Sequence, residues 1–227
     1  MRNKKWGPFL LLGAVVIVML LIGFLLVNKS TNDKEKAEVN SPVNTLNEQR
    51  LIGFEPAKQP FIGDPKAPIV IVEFADYKCP YCKQWTEEVV PELKKEYLDT
   101  GKAVLYYVDL PFLAPDSTLA ALAGETLYQQ SQEYFWTYYK AMMKNQGDHA
   151  ETWATKEFIM NLVQSNLPSV DMKQFEKELD SQKYIENVNN DIQIANDSKV
   201  EGTPTVFVNG VSVEDVSFAG IKAFIEK

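Results

Sequence analysis

The first long hydrophobic run of the chain extends from Phe9 to Val27 and contains no charged residue. At about 1.5 Å of rise per residue, a helix of this length matches the thickness of one hydrocarbon core. Arg2, Lys4 and Lys5 precede the run, and the positive-inside rule keeps such an end in the cytoplasm. We therefore predict a transmembrane signal anchor within residues 1–28, with the rest of the chain outside the cytoplasm.

A cleaved signal peptide is the alternative interpretation of this run. Signal peptides have shorter apolar regions and a small-x-small cleavage site, and residues 25–30 offer no such site. The next segment, residues 29–60, is polar and of mixed charge, with no sustained period. It is predicted to be a tether, with a short ordered stretch near Leu51 to Phe54.

From residue 61 onward the hydrophobic pattern alternates between strand-like and helix-like segments. Residues 69–74 form an apolar, β-branched run typical of a buried strand. A helical period follows from Cys79, with Pro91 expected to kink that helix. A second strand is predicted over Ala103 to Leu110.

The rest of the chain is mostly helical in period. Apolar positions recur at helical spacing from Pro115 to about Ser198, and the aromatic cluster Tyr134–Tyr139 fits packing between helices. Residues 206–208 predict a strand, and Asn209-Gly210 is a hairpin signal. We predict an α/β domain over residues 61–227 with a helical insertion at about 114–198. The predicted helices are 117–127, 133–143, 155–164, 171–180, 184–197 and 218–225.

Composition narrows the possible functions. The chain of 227 residues is 45% hydrophobic and has a formal net charge of −8, which excludes disorder and argues against nucleic-acid binding. It has two cysteines and one histidine, His149, too few for the four ligands of a structural zinc site. The acidic body could hold a hard cation such as calcium through carboxylates, but no calcium-loop motif is present. We therefore assign no metal ligand, expect no separate cofactor, and leave a bound divalent cation open.

The two cysteines, Cys79 and Cys82, lie where the first strand meets the first turn of a helix. A helix start favours an anion and lowers the pKa of a thiol placed there. Cys79 is therefore the expected nucleophile, and Cys82, one turn further on, is close enough to form a disulfide with it.

Glu73 is a lone carboxylate within the apolar strand before Cys79. If it is buried, its pKa should be raised, so that it can exchange protons with Cys82 near neutral pH. The alternative is a glutamate at a strand edge that faces solvent. Farther along the chain, Thr203-Pro204 precedes the strand at residue 206. An X-Pro bond can be cis, and the sequence leaves the isomer open.

Together these residues resemble the thioredoxin superfamily, and within it the DsbA-like oxidoreductases. The resemblance covers residues 61–227 and is closest to the membrane-anchored BdbD-like branch of Gram-positive bacteria. It is carried by Val72-Glu73-Phe74-x-Asp76-Tyr77-Lys78-Cys79-Pro80-x-Cys82 together with Gly202-Thr203-Pro204-Thr205.

The resemblance implies a thioredoxin fold and a role for each matched residue. Cys79 would be the nucleophile, Cys82 the resolving thiol, Glu73 the buried acid and Pro204 a cis-proline, with the backbone of Thr203 presented to the substrate. Pro80 and Tyr81 complete the motif. The best-known members have a histidine at the position of Tyr81, so the strength of this oxidant is an open question.

The expected activity is donation of the Cys79–Cys82 disulfide to exported cysteine-containing proteins. The resemblance implies reoxidation by a DsbB-like membrane quinone reductase. Two alternatives remain: an extracytoplasmic disulfide reductase or isomerase of the same fold, and a non-enzymatic thioredoxin-like binding module. The sequence shows no obvious dimerisation segment, so we expect a monomer.

Overall fold

The computed structural model describes residues 49–227. The predicted transmembrane helix and most of the predicted tether lie outside the described residues. Within residues 49–227, no helix combines the length and the apolar character needed to cross a membrane.

A five-stranded mixed sheet forms the centre of the domain, in the order β1-β3-β2-β4-β5. The central strand β2 pairs in parallel with β3 and antiparallel with β4. The two edge strands, β1 and β5, pair antiparallel with β3 and β4. The strands are β1 (Phe61–Gly63), β2 (Ile69–Ala75), β3 (Ala103–Asp109), β4 (Thr205–Val208) and β5 (Val211–Val213).

Helices cover the sheet, and five of them lie between β3 and β4 in the chain. The helix after β2 ends near Pro91, as its missing N–H predicts, and continues as a short helix and a π-helical turn over residues 94–98. The helices are α1 (Pro80–Glu88), α2 (Val90–Leu93), α3 (Pro115–Tyr128), α4 (Gln132–Lys144), α5 (Lys156–Asn166), α6 (Met172–Asp180), α7 (Ile185–Asp197) and α8 (Phe218–Ile225).

Three clusters of buried apolar side chains form the core of the sheet and of the helical insertion. One face of the sheet packs under α1, α2 and α8, and the other packs against α7. A third apolar cluster fills the insertion and reaches both cysteines. Four side chains of the predicted aromatic cluster are buried, which confirms its packing role: Phe135, Trp136, Tyr138 and Tyr139.

Residues 49–60 correct the predicted boundary of the tether. Arg50 forms a bridge with Val211 of β5, and the backbone N–H of Leu51 donates to the carbonyl of Gly210. The Gln59 side chain is buried and donates to Asp191. This segment therefore belongs to the domain. Its polar groups are satisfied by residues far away in the sequence, so no local sequence pattern could reveal that it is ordered.

Candidate active site

Cys79 occupies the N-cap of α1, directly after β2 and a short turn. The backbone N–H of Cys79 donates to the carbonyl of Asp76, which closes this turn. Pro80 at the first helical position fixes a helical φ where no N–H is needed. The sequence thus places the first sulfur at a helix start, as predicted.

The two thiols have pKa values displaced in opposite directions. A hydrogen bond from the Cys82 thiol is the largest cause that lowers the pKa of Cys79, to about 6, and the N–H groups of Cys82 and Tyr81 add to it. Burial raises the pKa of Cys82 well above its usual value, helped by its hydrogen bond to Cys79 and the charge of Glu73. At neutral pH the pair therefore carries a thiolate on Cys79 and a proton on Cys82.

Glu73 is 1% exposed and lies within β2, so the alternative of a solvent-facing strand edge is wrong. Burial is the main cause that raises the pKa of Glu73, to about 8. A hydrogen bond from Tyr139 opposes the rise, and the charge of Cys79 adds to it. The carboxyl group is therefore largely protonated at neutral pH and can give or take a proton beneath the cysteines.

Thr203 and Pro204 lie on the other side of Cys79. The peptide bond between them is cis, which answers the question that the sequence left open. The Sγ atom of Cys79 lies 3.2 Å from the carbonyl oxygen of Thr203. The structure thus brings Cys79, Cys82, Thr203 and Pro204 into one site, with Glu73 below it.

A groove of about 310 Å³ adjoins the site. Tyr81, Trp85 and Pro204 form much of its wall, and Tyr81 is 69% exposed. Thr203 lines the same groove. Three of the predicted supporting residues, Tyr81, Thr203 and Pro204, therefore line a groove of a size suited to an extended peptide, whereas Pro80 is not among its lining residues.

The structure adds supporting residues that sequence reasoning missed. The Gln146 side-chain amide donates to the carbonyls of Tyr77 and Cys79, at 2.8 and 3.0 Å. Lys78 is buried and pairs with Asp116 at 2.6 Å. These contacts join the active-site turn to the helical insertion, and their partners lie too far apart in sequence for a local pattern to reveal.

Three buried carboxylates, on Asp109, Glu125 and Asp191, offer ligand oxygens within 4.8 Å of one another. Burial is the main cause that raises the pKa of Glu125 to about 7 and that of Asp191 to about 8. Hard divalent cations such as calcium prefer oxygen ligands of this kind. These are the described residues that could hold a metal, and because they come from separate elements they lack the spacing of a calcium loop.

A family model described as thioredoxin matches residues 55–227. The chain is 36% identical over 226 residues to a probable disulfide bond formation protein D of Bacillus anthracis, covering 99% of this chain and 98% of the relative. It is 29% identical to disulfide bond formation protein D of Bacillus subtilis, over 74% of this chain and 76% of the relative.

Solved structures agree with this relationship. Oxidised BdbD from Bacillus subtilis matches with a TM-score of 0.72 at 28% identity, covering 76% of this chain and 93% of that chain. DsbA from Chlamydia trachomatis matches with a TM-score of 0.67 at 28% identity, covering 74% and 89%. The fold, the paired cysteines at a helix start and these similarities agree: the chain belongs to the thioredoxin family, among its DsbA-like thiol–disulfide oxidoreductases.

Proposed function

We propose that this protein donates the Cys79–Cys82 disulfide to exported proteins during their oxidative folding. The observation that carries the proposal is the opposite displacement of the two thiol pKa values, with Cys79 at about 6 and Cys82 well above its usual value. A dithiol form stabilised by a thiolate makes the corresponding disulfide a strong oxidant. The names of the Bacillus relatives support the same direction of electron flow.

The reaction transfers two electrons from substrate to enzyme in two exchanges. A substrate thiolate attacks Sγ of Cys79, the bond to Cys82 breaks, and a mixed disulfide forms. A second substrate thiolate then attacks the substrate sulfur, and Cys79 leaves as a thiolate. Its low pKa makes it a good leaving group. The substrate gains a disulfide and the enzyme becomes a dithiol.

Glu73 supplies the proton that the first of these two exchanges needs. Cys82 leaves the disulfide as a thiolate in a buried place, where a charge is costly. Glu73 is protonated at neutral pH and lies beneath the pair, so it can donate its proton to Cys82. Reoxidation runs the same transfer backwards, from the Cys82 thiol to the Glu73 carboxylate.

We also propose where the protein acts and what reoxidises it. The apolar run at residues 9–27 and the basic residues before it support a single-pass membrane protein with its catalytic domain outside. Such a compartment favours disulfides. A DsbB-like membrane quinone reductase fits as the acceptor of the two electrons, with the protein acting as a monomer and the disulfide as its only redox group.

The reduction potential of the cysteine pair tests this function. Equilibration with glutathione buffers should give a value near that of strong oxidants, about −120 mV. A value near about −270 mV, where thioredoxin lies, would instead favour an extracytoplasmic reductase. A protein without thiol exchange would fail to equilibrate at all, as a binding module would.

A further inference from the structure

Two hydroxyl side chains connect Glu73 with a cavity at the surface. The Tyr139 hydroxyl of α4 lies 3.2 Å from Oε2 of Glu73 and 2.6 Å from Oγ1 of Thr86 in α1. Thr86 Oγ1 lies 2.8 Å from the backbone carbonyl oxygen of Cys82. A chain of hydrogen bonds therefore runs from the Glu73 carboxyl group through Tyr139 and Thr86 to the backbone carbonyl of Cys82.

The inner part of this chain is enclosed, and its outer part is not. Glu73 and Tyr139 are each 1% exposed and Cys82 is fully buried. Thr86 is only half-buried, and with Tyr139 it lines a cavity of about 380 Å³ between α1 and α4. The cavity opens to solvent, because its mouth is formed by exposed charged residues: Glu87, Lys94, Lys140 and Lys144.

The proposed reaction requires protons to reach Glu73. When the disulfide is reduced, Glu73 gives its proton to Cys82. With a pKa of about 8 in the dithiol protein, Glu73 then takes up a second proton at neutral pH and must release it before reoxidation. The titratable groups that face Glu73 are Cys79 at the N-cap of α1, Cys82 within α1, Tyr107 of β3 and Tyr139 of α4.

The number of protons in this hydrogen-bonded chain depends on whether Glu73 is protonated. Its three links join Glu73, Tyr139, Thr86 and the Cys82 carbonyl, and each link needs one proton. When Glu73 is protonated, three protons fill the three links. When Glu73 is ionised, only the two hydroxyl protons remain: Tyr139 donates to the carboxylate, and Thr86 donates either to Tyr139 or to the Cys82 carbonyl. An exchange at Glu73 can therefore reverse the Tyr139 hydroxyl and turn the Thr86 hydroxyl with it, as a proton relay requires.

We propose that Tyr139 and Thr86 are positioning residues that relay protons between Glu73 and the cavity bounded by α1 and α4. The inference rests on the function proposed above, in which Glu73 exchanges a proton with Cys82. It assigns a purpose to an aromatic residue whose sequence context indicates only core packing.

The experiment uses the reduced full-length protein and oxidised glutathione under single-turnover conditions, across pH values on both sides of 8. The rate of disulfide formation is compared with the titration of the Glu73 carboxyl group, followed by ¹³C NMR and assigned with Glu73→Gln. Tyr138→Phe is the matched control, because Tyr138 lies in the same helix, is fully buried and donates only to the carbonyl of Ala120.

Tyr139→Phe should raise the midpoint of the Glu73 titration by about one unit, because the carboxylate loses its hydrogen bond. The rate below pH 8 should fall about tenfold in step with the smaller ionised fraction. Thr86→Val should slow the rate several-fold without moving the midpoint, because it interrupts only the outer link. Thr86→Ser should restore the rate.

The relay would be overturned if Thr86→Val and Tyr139→Phe each reacted at the same rate as Tyr138→Phe at every pH. If Tyr139→Phe changes the midpoint but Thr86→Val leaves the rate untouched, the relay is likewise overturned, since Tyr139 then acts only on the carboxylate. An unchanged rate in Glu73→Gln is a different failure, because it removes Glu73 from the proposed reaction itself.

Discussion

At the scale of single residues, the acid that serves the chemistry weakens the fold. Glu73 has a pKa of about 8 in the dithiol protein against an ordinary 4.5. Between pH 4.5 and about pH 8, the folded state therefore holds a proton on Glu73 that the unfolded state has released. Stability contributed by the protonated carboxyl is complete below pH 4.5 and is lost as the pH rises towards 8.

Glu73→Gln should therefore stabilise the reduced protein relative to wild type, and the difference should grow from pH 4.5 to pH 8. The limit of this difference in the free energy of unfolding is on the order of 5 kcal/mol, from about 1.4 kcal/mol per pKa unit. Urea unfolding at a series of pH values measures it, with the exposed Glu214→Gln as control. A difference that is independent of pH would contradict the raised pKa.

At the scale of elements, a buried ion pair connects the active-site turn to the helical insertion. Lys78 is 1% exposed and lies just before Cys79. Its ammonium donates to Asp116 at the start of α3 and to the carbonyl of Glu151. Asp116 also accepts from the backbone N–H groups of Trp153 and Ala154. A single lysine therefore holds two segments of the insertion beside the catalytic turn.

Lys78→Met should destabilise the protein by roughly 3–5 kcal/mol, because it leaves the buried Asp116 without its partner charge. Chemical denaturation compared with the exposed Lys66→Met control, expected within about 0.5 kcal/mol of wild type, gives the measurement. A double variant that also carries Asp116→Asn should recover part of the loss. Equal stability of Lys78→Met and wild type would exclude a structural role for the pair.

Elements with a clear period were predictable, and their connections were not. The strand predicted at residues 69–74 and the helix predicted at 171–180 agree with β2 and α6 within one residue, because each has an unbroken apolar pattern. The three-residue strand β1 is too short to show a period. Gln146 was missed for another reason: its partners Tyr77 and Cys79 are about 70 positions away.

At the scale of the whole molecule, the proposed anchor determines where the chemistry takes place. The full-length protein should remain with membranes after alkaline carbonate extraction, because a long apolar helix partitions into the bilayer. Externally added protease should digest its domain in spheroplasts. A chain that begins at residue 48 should be released instead. Extraction of the full-length protein into the soluble fraction would contradict the anchor.

Residues 49–51 also cover the outer edge of the sheet at β5. β5 is an edge strand, and such edges can pair with strands of other molecules and begin aggregation. Here the backbone N–H of Ser212 already donates to the carbonyl of Gln49, and Arg50 bridges to Val211. A fragment cut at Phe61 would keep both cysteines but expose this edge. The exposed edge of β5 in one molecule of the fragment could then pair with the same edge in another. Self-association of the fragment would therefore compete with its catalysis.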